Sequence, residues 1–191
     1  MKQIVFGSLL LFVFFACNNS AEKQANTVAS TTEKKMFFPV SSFIRGQLFD
    51  IGKSAVNPLK EVTSGNKKDS FWLKPEELTT AAAEFLDPVI DTANLLDLFK
   101  ESKFKDETLN SITYTFEPKT ELPQGFQLKR WNVYVNPETG KVTSIYMVKT
   151  RMDTTLHLLW KCDNNFTIKT VVEKPGKEPA EEKQVKITWK F

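Results

Sequence analysis

Cysteine and histidine are scarce: the 191-residue chain holds two Cys and one His. So few thiols and imidazoles exclude a Cys/His zinc cluster and a multi-disulfide scaffold. Glycine is sparse as well, with seven residues scattered along the chain. No Gly-rich phosphate loop, Ser-centred elbow or His-Glu-x-x-His pattern occurs, which removes the common signatures of nucleotide, acyl-transfer and zinc-hydrolase chemistry. Charge of one sign is lacking too. The 26 basic and 23 acidic residues leave a formal charge of +3, too balanced to argue for nucleic acid or an anionic membrane surface. No apolar run is long enough to span a bilayer. The longest, Ile4–Phe15, has twelve residues and as a helix reaches roughly 18 Å, against a hydrocarbon core of ~30 Å.

Aromatic residues, by contrast, are plentiful. Sixteen Phe and four Trp within 41% apolar and 26% charged residues suit a packed globular core rather than disorder.

The first residues carry an address. Lys2 precedes the apolar run, which stops at Ala16-Cys17 before polar Asn18-Asn19-Ser20; this is the layout of a signal peptide. Phe14-Phe15-Ala16-Cys17 resembles the lipobox of Gram-negative envelope lipoproteins, with Phe14 in the place of the usual Leu and Phe15 where a small residue is usual. The resemblance implies cleavage after Ala16, a diacylglycerol on the Cys17 sulfur and a further acyl chain such as palmitate on the new amino group. It implies a membrane held through the N-terminal lipid, at the outer membrane ahead of the inner one, with the domain in the periplasm or at the cell surface. An ordinary cleaved secretory signal and an uncleaved anchor are the alternatives. Loss of residues 1–16 removes one lysine and no acid, lowering the formal charge from +3 to +2. With Cys17 lipidated, Cys162 has no disulfide partner.

Residues 17–36 read as the lipidated cysteine and a flexible tether, its nineteen Asn-, Ser-, Thr- and Lys-rich residues from Asn18 reaching ~25 Å. Residues 37–191 read as a single α+β domain. Phe43, Ile44, Leu48 and Ile51 predict a helix up to Lys53 with Ser41 or Ser42 as cap. Ala55–Val62 and Ser70–Lys74 predict a short hairpin, with Pro58 placing its first strand at an edge. Lys74-Pro75-Glu76-Glu77 opens a helix with inner residues Leu78, Ala82, Phe85 and Leu86. Asp87-Pro88 breaks it, and a continuation or tandem helix runs through Val89, Leu95, Leu96 and Phe99 to Lys103.

Beyond Asp106 the period switches to two, predicting six strands at 109–117, 126–136, 141–151, 154–162, 165–173 and 183–191. Asn136–Gly140 and Asp163-Asn164-Asn165 are turn signals, and Pro175–Glu182 a longer loop. One set of alternate residues is apolar: Val142, Tyr146, Val148; Leu156, Leu158, Trp160, Cys162; Phe166, Ile168, Val172; Val185, Ile187, Trp189, Phe191. The other set carries Lys141, Lys149, Arg151, His157, Lys161, Lys169, Lys186 and Lys190. The expected fold is an antiparallel sheet, a six-strand C-terminal meander plus the N-terminal hairpin, packed on one face by two or three helices. In 126–136 the alternation slips between Phe126, Leu128 and Trp131, Val133, Val135, which predicts a bulge.

Candidate chemistry is thin. His157 falls on the wet face, a solvated residue rather than a ligand. Cys162 shares the parity of Trp160, an inert buried thiol rather than a nucleophile. Glu76-Glu77 and Asp87…Asp91 read as helix-start charge and capping. The lysine-rich set reads as a solvated, edge-protecting face, with an anionic glycan or lipid headgroup as the alternative. Arg130, Trp131 and Tyr134 are candidate ligand-groove residues, with a repacked core as the favoured alternative. Asp153-Thr154-Thr155 and Asp91-Thr92-Ala93 resemble Asp-Thr-small O-glycosylation sites of envelope proteins, with Thr154 the preferred acceptor. The terminal Val185–Phe191 alternation resembles the last strand of outer-membrane barrels, but too few strands are available for a pore.

No catalytic residue, cofactor or metal is expected, and no nucleic-acid partner. The sequence points to a non-enzymatic, membrane-anchored envelope lipoprotein, a binding module for an envelope protein or glycan. The alternative is an accessory subunit or inhibitor of an envelope enzyme complex.

Overall fold

The structure, a computed structural model, describes residues 38–91, 95–173 and 180–190. The expected signal peptide, Cys17 and the expected tether therefore lie outside the described residues, as do Thr92 and Phe191. Within them, nine strands form one antiparallel sheet: β1 Leu59–Ser64, β2 Lys67–Trp72, β3 Phe99–Asp106, β4 Ser111–Pro118, β5 Leu128–Val135, β6 Val142–Arg151, β7 Thr154–Lys161, β8 Asn165–Val172 and β9 Ala180–Thr188. Their order is β2-β1-β9-β8-β7-β6-β5-β4-β3. Strands β3 to β9 are a meander, and the β1–β2 hairpin joins it by laying β1 against β9. The sheet is open, with β2 and β3 as its edges.

All six C-terminal strands expected from the period-two pattern are present. The ninth, β3, replaces the tail of the expected tandem helix. It pairs with β4 alone, and only Phe99 on it is buried, so its alternation leaves little mark on the sequence. The helix before it is short: α2 is Leu78–Ala81, flanked by 3-10 turns at Pro75–Glu77 and Ala83–Phe85. The carbonyl oxygens of Glu84 and Asp87, which a continuing helix would use internally, instead accept hydrogen bonds from Lys149 Nζ. The fold is thus mostly sheet, with two short helices rather than two or three longer ones.

Pro58 does not mark an edge. It sits one residue ahead of β1, an inner strand between β2 and β9, and its carbonyl accepts from Leu73 N–H at 2.8 Å. No ladder bond is asked of its missing N–H.

The first helix, α1 Val40–Lys53, buries Val40, Ser41, Ile44, Leu48 and Ile51. Neither Ser41 nor Ser42 caps it; Pro39 precedes it and no side chain of its own closes the first turn. Asp91 does that from outside, accepting from Ser42 N–H through Oδ1 at 2.5 Å and pairing with Arg45 at 3.0 Å. Ser41 Oγ in turn accepts from Ile90 N–H at 2.8 Å. Carboxylates stabilise helix N-termini wherever they come from, and here one fixes the 75–91 segment to α1.

The core is aromatic. Phe85 meets Trp160 edge-on at 5.4 Å, with an interplanar angle of 79°, and Phe166 at 5.3 Å. Trp160 Nε1 donates to Gln47 Oε1 on α1, which supplies the partner a buried indole requires. Further along, Trp131 stacks on Phe116 at 4.6 Å and meets Phe99 at 4.7 Å.

The expected slip in β5 is a register shift between Leu128 and Arg130; a second shift lies between Tyr134 and Val135. That second shift changes the face assignment in β6. Ile145, Met147 and Lys149 lie opposite Trp160, Leu158 and Leu156 of β7 and are fully buried with them. Tyr146 and Val148, expected in the core, lie on the other face; Lys149, expected in solvent, is in the core. Both parities of Ile145-Tyr146-Met147-Val148 are apolar, so only the register decides which faces inward.

Candidate functional site

Cross-strand partners in an antiparallel sheet share a face, so the register builds the uncovered face row by row. One row runs Ser102, Thr115, Asn132, Tyr146, Leu159, Thr167, Lys186, Glu61, Ser70. The neighbouring row runs Arg130, Val148, His157, Lys169, Gln184, Thr63, Lys68. Together they hold Arg130, Lys169, Lys186 and Lys68, and the carboxylate of Glu61. That carboxylate is spoken for: Lys68 lies 3.0 Å and Lys186 3.9 Å from it. The Lys68 hydrogen bond, with the two lysine charges, holds the Glu61 carboxyl below its ordinary pKa.

Where the two rows meet on β6–β9, a cavity of about 400 Å³ is lined by Tyr146, His157, Leu159, Thr167, Lys169 and Gln184. Tyr146 Oη and His157 Nδ1 are 2.7 Å apart, with the rings within 20° of parallel. Arg130 places its guanidinium 5.8 Å from the centre of the Tyr146 ring, in cation–π range. The arrangement offers an apolar floor at Leu159 and a ring of hydrogen-bonding groups around it. Among the described residues no carboxylate lines the cavity.

Of the three groove residues read from the sequence, Arg130 and Tyr134 share this face, and Asn132 Nδ2 donates to Tyr134 Oη at 3.3 Å. Trp131 does not belong there; at 0% exposure it is a core residue on the opposite face. Consecutive strand residues point to opposite faces, so a Trp between Arg130 and Asn132 cannot line the same groove. Sequence reasoning placed His157 on the wet face, where it is, but missed its partner because Tyr146 was assigned inward.

A second, larger cavity of about 700 Å³ opens between the 125–129 segment and the β6–β7 turn, lined among others by Phe126, Lys129, Arg151, Met152 and Leu156. Its cations are already used. Lys129 Nζ donates to the Phe126 carbonyl at 2.9 Å, and Arg151 grips Glu84 with two bonds of 2.9 Å while Nε donates to Gln127. Behind it Lys149, 0% exposed, donates to Glu84 Oε2 at 2.7 Å. This cluster clamps the 75–91 segment to the sheet, and nothing in the sequence pattern announced it. Thr154 lies at the rim, half-buried, its hydroxyl donating to Asp153 Oδ1 at 3.2 Å.

Cys162 is half-buried and unpaired. Burial first, and the Asp163 charge second, push its thiol up to about 11, which leaves almost no thiolate near neutrality. Among the described residues no group of three or more His, Cys, Asp or Glu is placed to hold a metal ion, and no helix is long and apolar enough to cross a membrane. Compared with known proteins, the chain matches no family model and is significantly similar to no curated protein and no solved structure.

Proposed function

We propose that this protein is a non-enzymatic envelope lipoprotein, held to the membrane by acyl chains on Cys17, whose open sheet face is a binding surface. The lipobox-like N-terminus supports the anchor. For binding, the observation that carries the reading is the grouping of Arg130, Tyr146, His157 and Lys169 on one face around a cavity. The opposite face of the same strands is filled with aromatic core and contacted by α1 and Phe85. Such a division leaves one face for stability and the other for recognition. The three acyl chains implied by the lipobox make release from the bilayer negligible, since each buried CH₂ contributes ~0.8 kcal/mol.

Two arms test this. Replacing residues 1–17 by a cleavable signal should move the protein from the membrane pellet to the soluble periplasmic fraction. If it stayed in the pellet after a high-salt wash, the lipid would not be the anchor. In the full chain, photo-crosslinking residues at Lys161 and Lys169 should give discrete adducts, while the same residues at Asp50 and Glu76 should not. Equal adduct patterns at all four positions, or none at any, refute the open face as the interaction surface.

A further inference from the structure

We propose that the cavity on β6–β9 binds a neutral saccharide, with one pyranose ring stacked on the paired side chains of Tyr146 and His157. The inference rests on the open face being a binding surface and names the class of ligand it takes. A flat platform comes first. Tyr146 Oη and His157 Nδ1 are 2.7 Å apart, the ring centres 6.2 Å, and the planes within 20° of parallel. A bond from the tip of one ring to the rim of the other, with the centres so far apart, puts the rings side by side rather than one above the other. They make a single plate whichever of the two carries the shared proton. Leu159, the cross-strand partner of Tyr146, extends its apolar surface.

The surrounding polar groups select hydroxyls. Thr167 and Gln184 line the cavity, and Asn132 and Thr115 continue the row through Tyr146. All four are neutral side chains that both give and take hydrogen bonds. A sugar hydroxyl is donor and acceptor at once, so it suits such groups whichever way they are turned. Beside the plate, Arg130 Nε and Asn132 Oδ1 are buried and have no hydrogen-bond partner among the described residues. Asn132 Nδ2 donates to Tyr134 Oη at 3.3 Å, and turning the amide over only exchanges which end is left over. Arg130 follows a register shift in β5, and bulges re-aim the side chains next to them. When a ligand draws the guanidinium off the Tyr146 ring, this donor and this acceptor open together to the hydroxyls along one edge of the sugar.

The plate selects the ring. A pyranose with equatorial substituents turns axial C–H bonds to both of its faces. Such a face is flat and slightly positive, the complement of the negative face of an aromatic ring. The cavity of about 400 Å³ holds about two such rings, at the small end of ligand sites. A long acyl chain has no comparable apolar length here, because Leu159 is followed across the sheet by Thr167 and Lys186. Recognition by ring face and hydroxyls asks no charge of the site, so salt should leave the affinity unchanged.

Cellobiose and N,N′-diacetylchitobiose are the probes, titrated into the full chain in detergent while ¹H–¹⁵N signals are followed. Sorbitol, which has hydroxyls and no ring, and benzoate, which has a ring and a charge but no hydroxyls, are the controls. Saturable shifts at Tyr146, His157, Leu159, Thr167 and Gln184 are expected for at least one disaccharide, unchanged by added salt, and for neither control. The tighter of the two tells a plain glucosyl ring from an acetylated amino sugar. Tyr146→Leu should weaken binding about tenfold, the size of one ring-stacking contact, and Gln184→Leu several-fold, both keeping the wild-type melt. Should Tyr146→Leu lose that melt, Gln184→Leu decides. The proposal is overturned if neither disaccharide saturates by roughly 20 mM, far above the ~1 mM weak end of specific affinity. It is overturned equally if sorbitol or benzoate binds as well, if salt abolishes binding, or if the deciding variant binds like wild type. Failure here with the Lys161 and Lys169 crosslinks intact removes only the saccharide; loss of those crosslinks removes the open-face reading itself.

Discussion

Replacing Glu84 should destabilise the fold more than replacing the buried lysine it neutralises. Lys149 is fully buried, and its three ammonium protons meet three acceptors: Glu84 Oε2 at 2.7 Å, Glu84 O at 3.2 Å and Asp87 O at 2.8 Å. Glu84→Gln keeps the shape but strands the ammonium without its counter-charge and releases Arg151. Breaking a buried pair from one side costs about 3–5 kcal/mol. The low end applies, because the Glu84 side chain is 28% exposed and water can approach it. Lys149→Met removes the charge with its stem volume kept. Two carbonyls lose a donor, about 1–3 kcal/mol each at most, but no ammonium remains to be desolvated and Glu84 keeps Arg151. The net cost should be about 1–2 kcal/mol.

Urea unfolding followed by Trp fluorescence at neutral pH gives both values. Introducing Glu84→Gln into the Lys149→Met background should add under about 1 kcal/mol, since the coupled partner is gone. If Lys149→Met costs as much as Glu84→Gln, the carbonyl ties rather than the ion pair hold the segment. If both cost under ~0.5 kcal/mol, within the range of ordinary surface changes, the clamp itself is wrong. Acid makes the same point from another side. Burial raises the Glu84 pKa, but the bonds and charges of Lys149 and then Arg151 outweigh it and hold it below its ordinary value. A carboxyl lowered on folding contributes stability above its unfolded pKa of ~4.3, lost as the pH falls through the folded value. Glu84→Gln should therefore flatten the acid limb of the stability profile.

The face assignment in β6 and β7 is tested by neighbours: Met147→Asp and Trp160→Asp each bury an unpaired charge and should cost several kcal/mol, whereas Val148→Asp and Lys161→Asp should stay near 1 or below. Equal small losses in thermal melts would undo it. Cys162, with its thiol raised to about 11, should react with a thiol probe at pH 7.5 ~100-fold more slowly folded than unfolded, because the thiolate is the nucleophile. Rapid native labelling would contradict its burial. Asp91→Ala removes the carboxylate that, among the described residues, meets the start of α1 and should cost ~1 kcal/mol. Hydrogen exchange should report the loss in the first turn of α1; protection unchanged there would mean the helix needs no external cap.

The clearest elements in the sequence were those whose signal is local. Alternation and turn chemistry gave the six strands from β4 to β9. Asn136 Oδ1, for instance, accepts from Glu138 and Thr139 N–H, closing a turn that its sequence announces. The helical spacing of Ile44, Leu48 and Ile51 gave α1. The slip at Leu128–Trp131 gave the bulge, because a bulge is a local change of parity. The same local logic failed where the signal was symmetric or weak. In β3 only one residue is buried, and in β6 both parities are apolar.

What the sequence determined by itself, then, is a period-two chain with an aromatic core, one amphipathic helix ahead of it, and few reactive groups. What only the tertiary structure decided is which strands adjoin and which face is inward. The hairpin β1–β2 lies against β9, more than a hundred residues away in the chain, and Glu84 meets Lys149 across a separation of 65. The pairing register of β6 against β5 and β7 sends Lys149 inward and brings Tyr146 to His157 on the open face. Periodicity within one strand fixes that two faces exist; the inward one is fixed by partners that local sequence does not name.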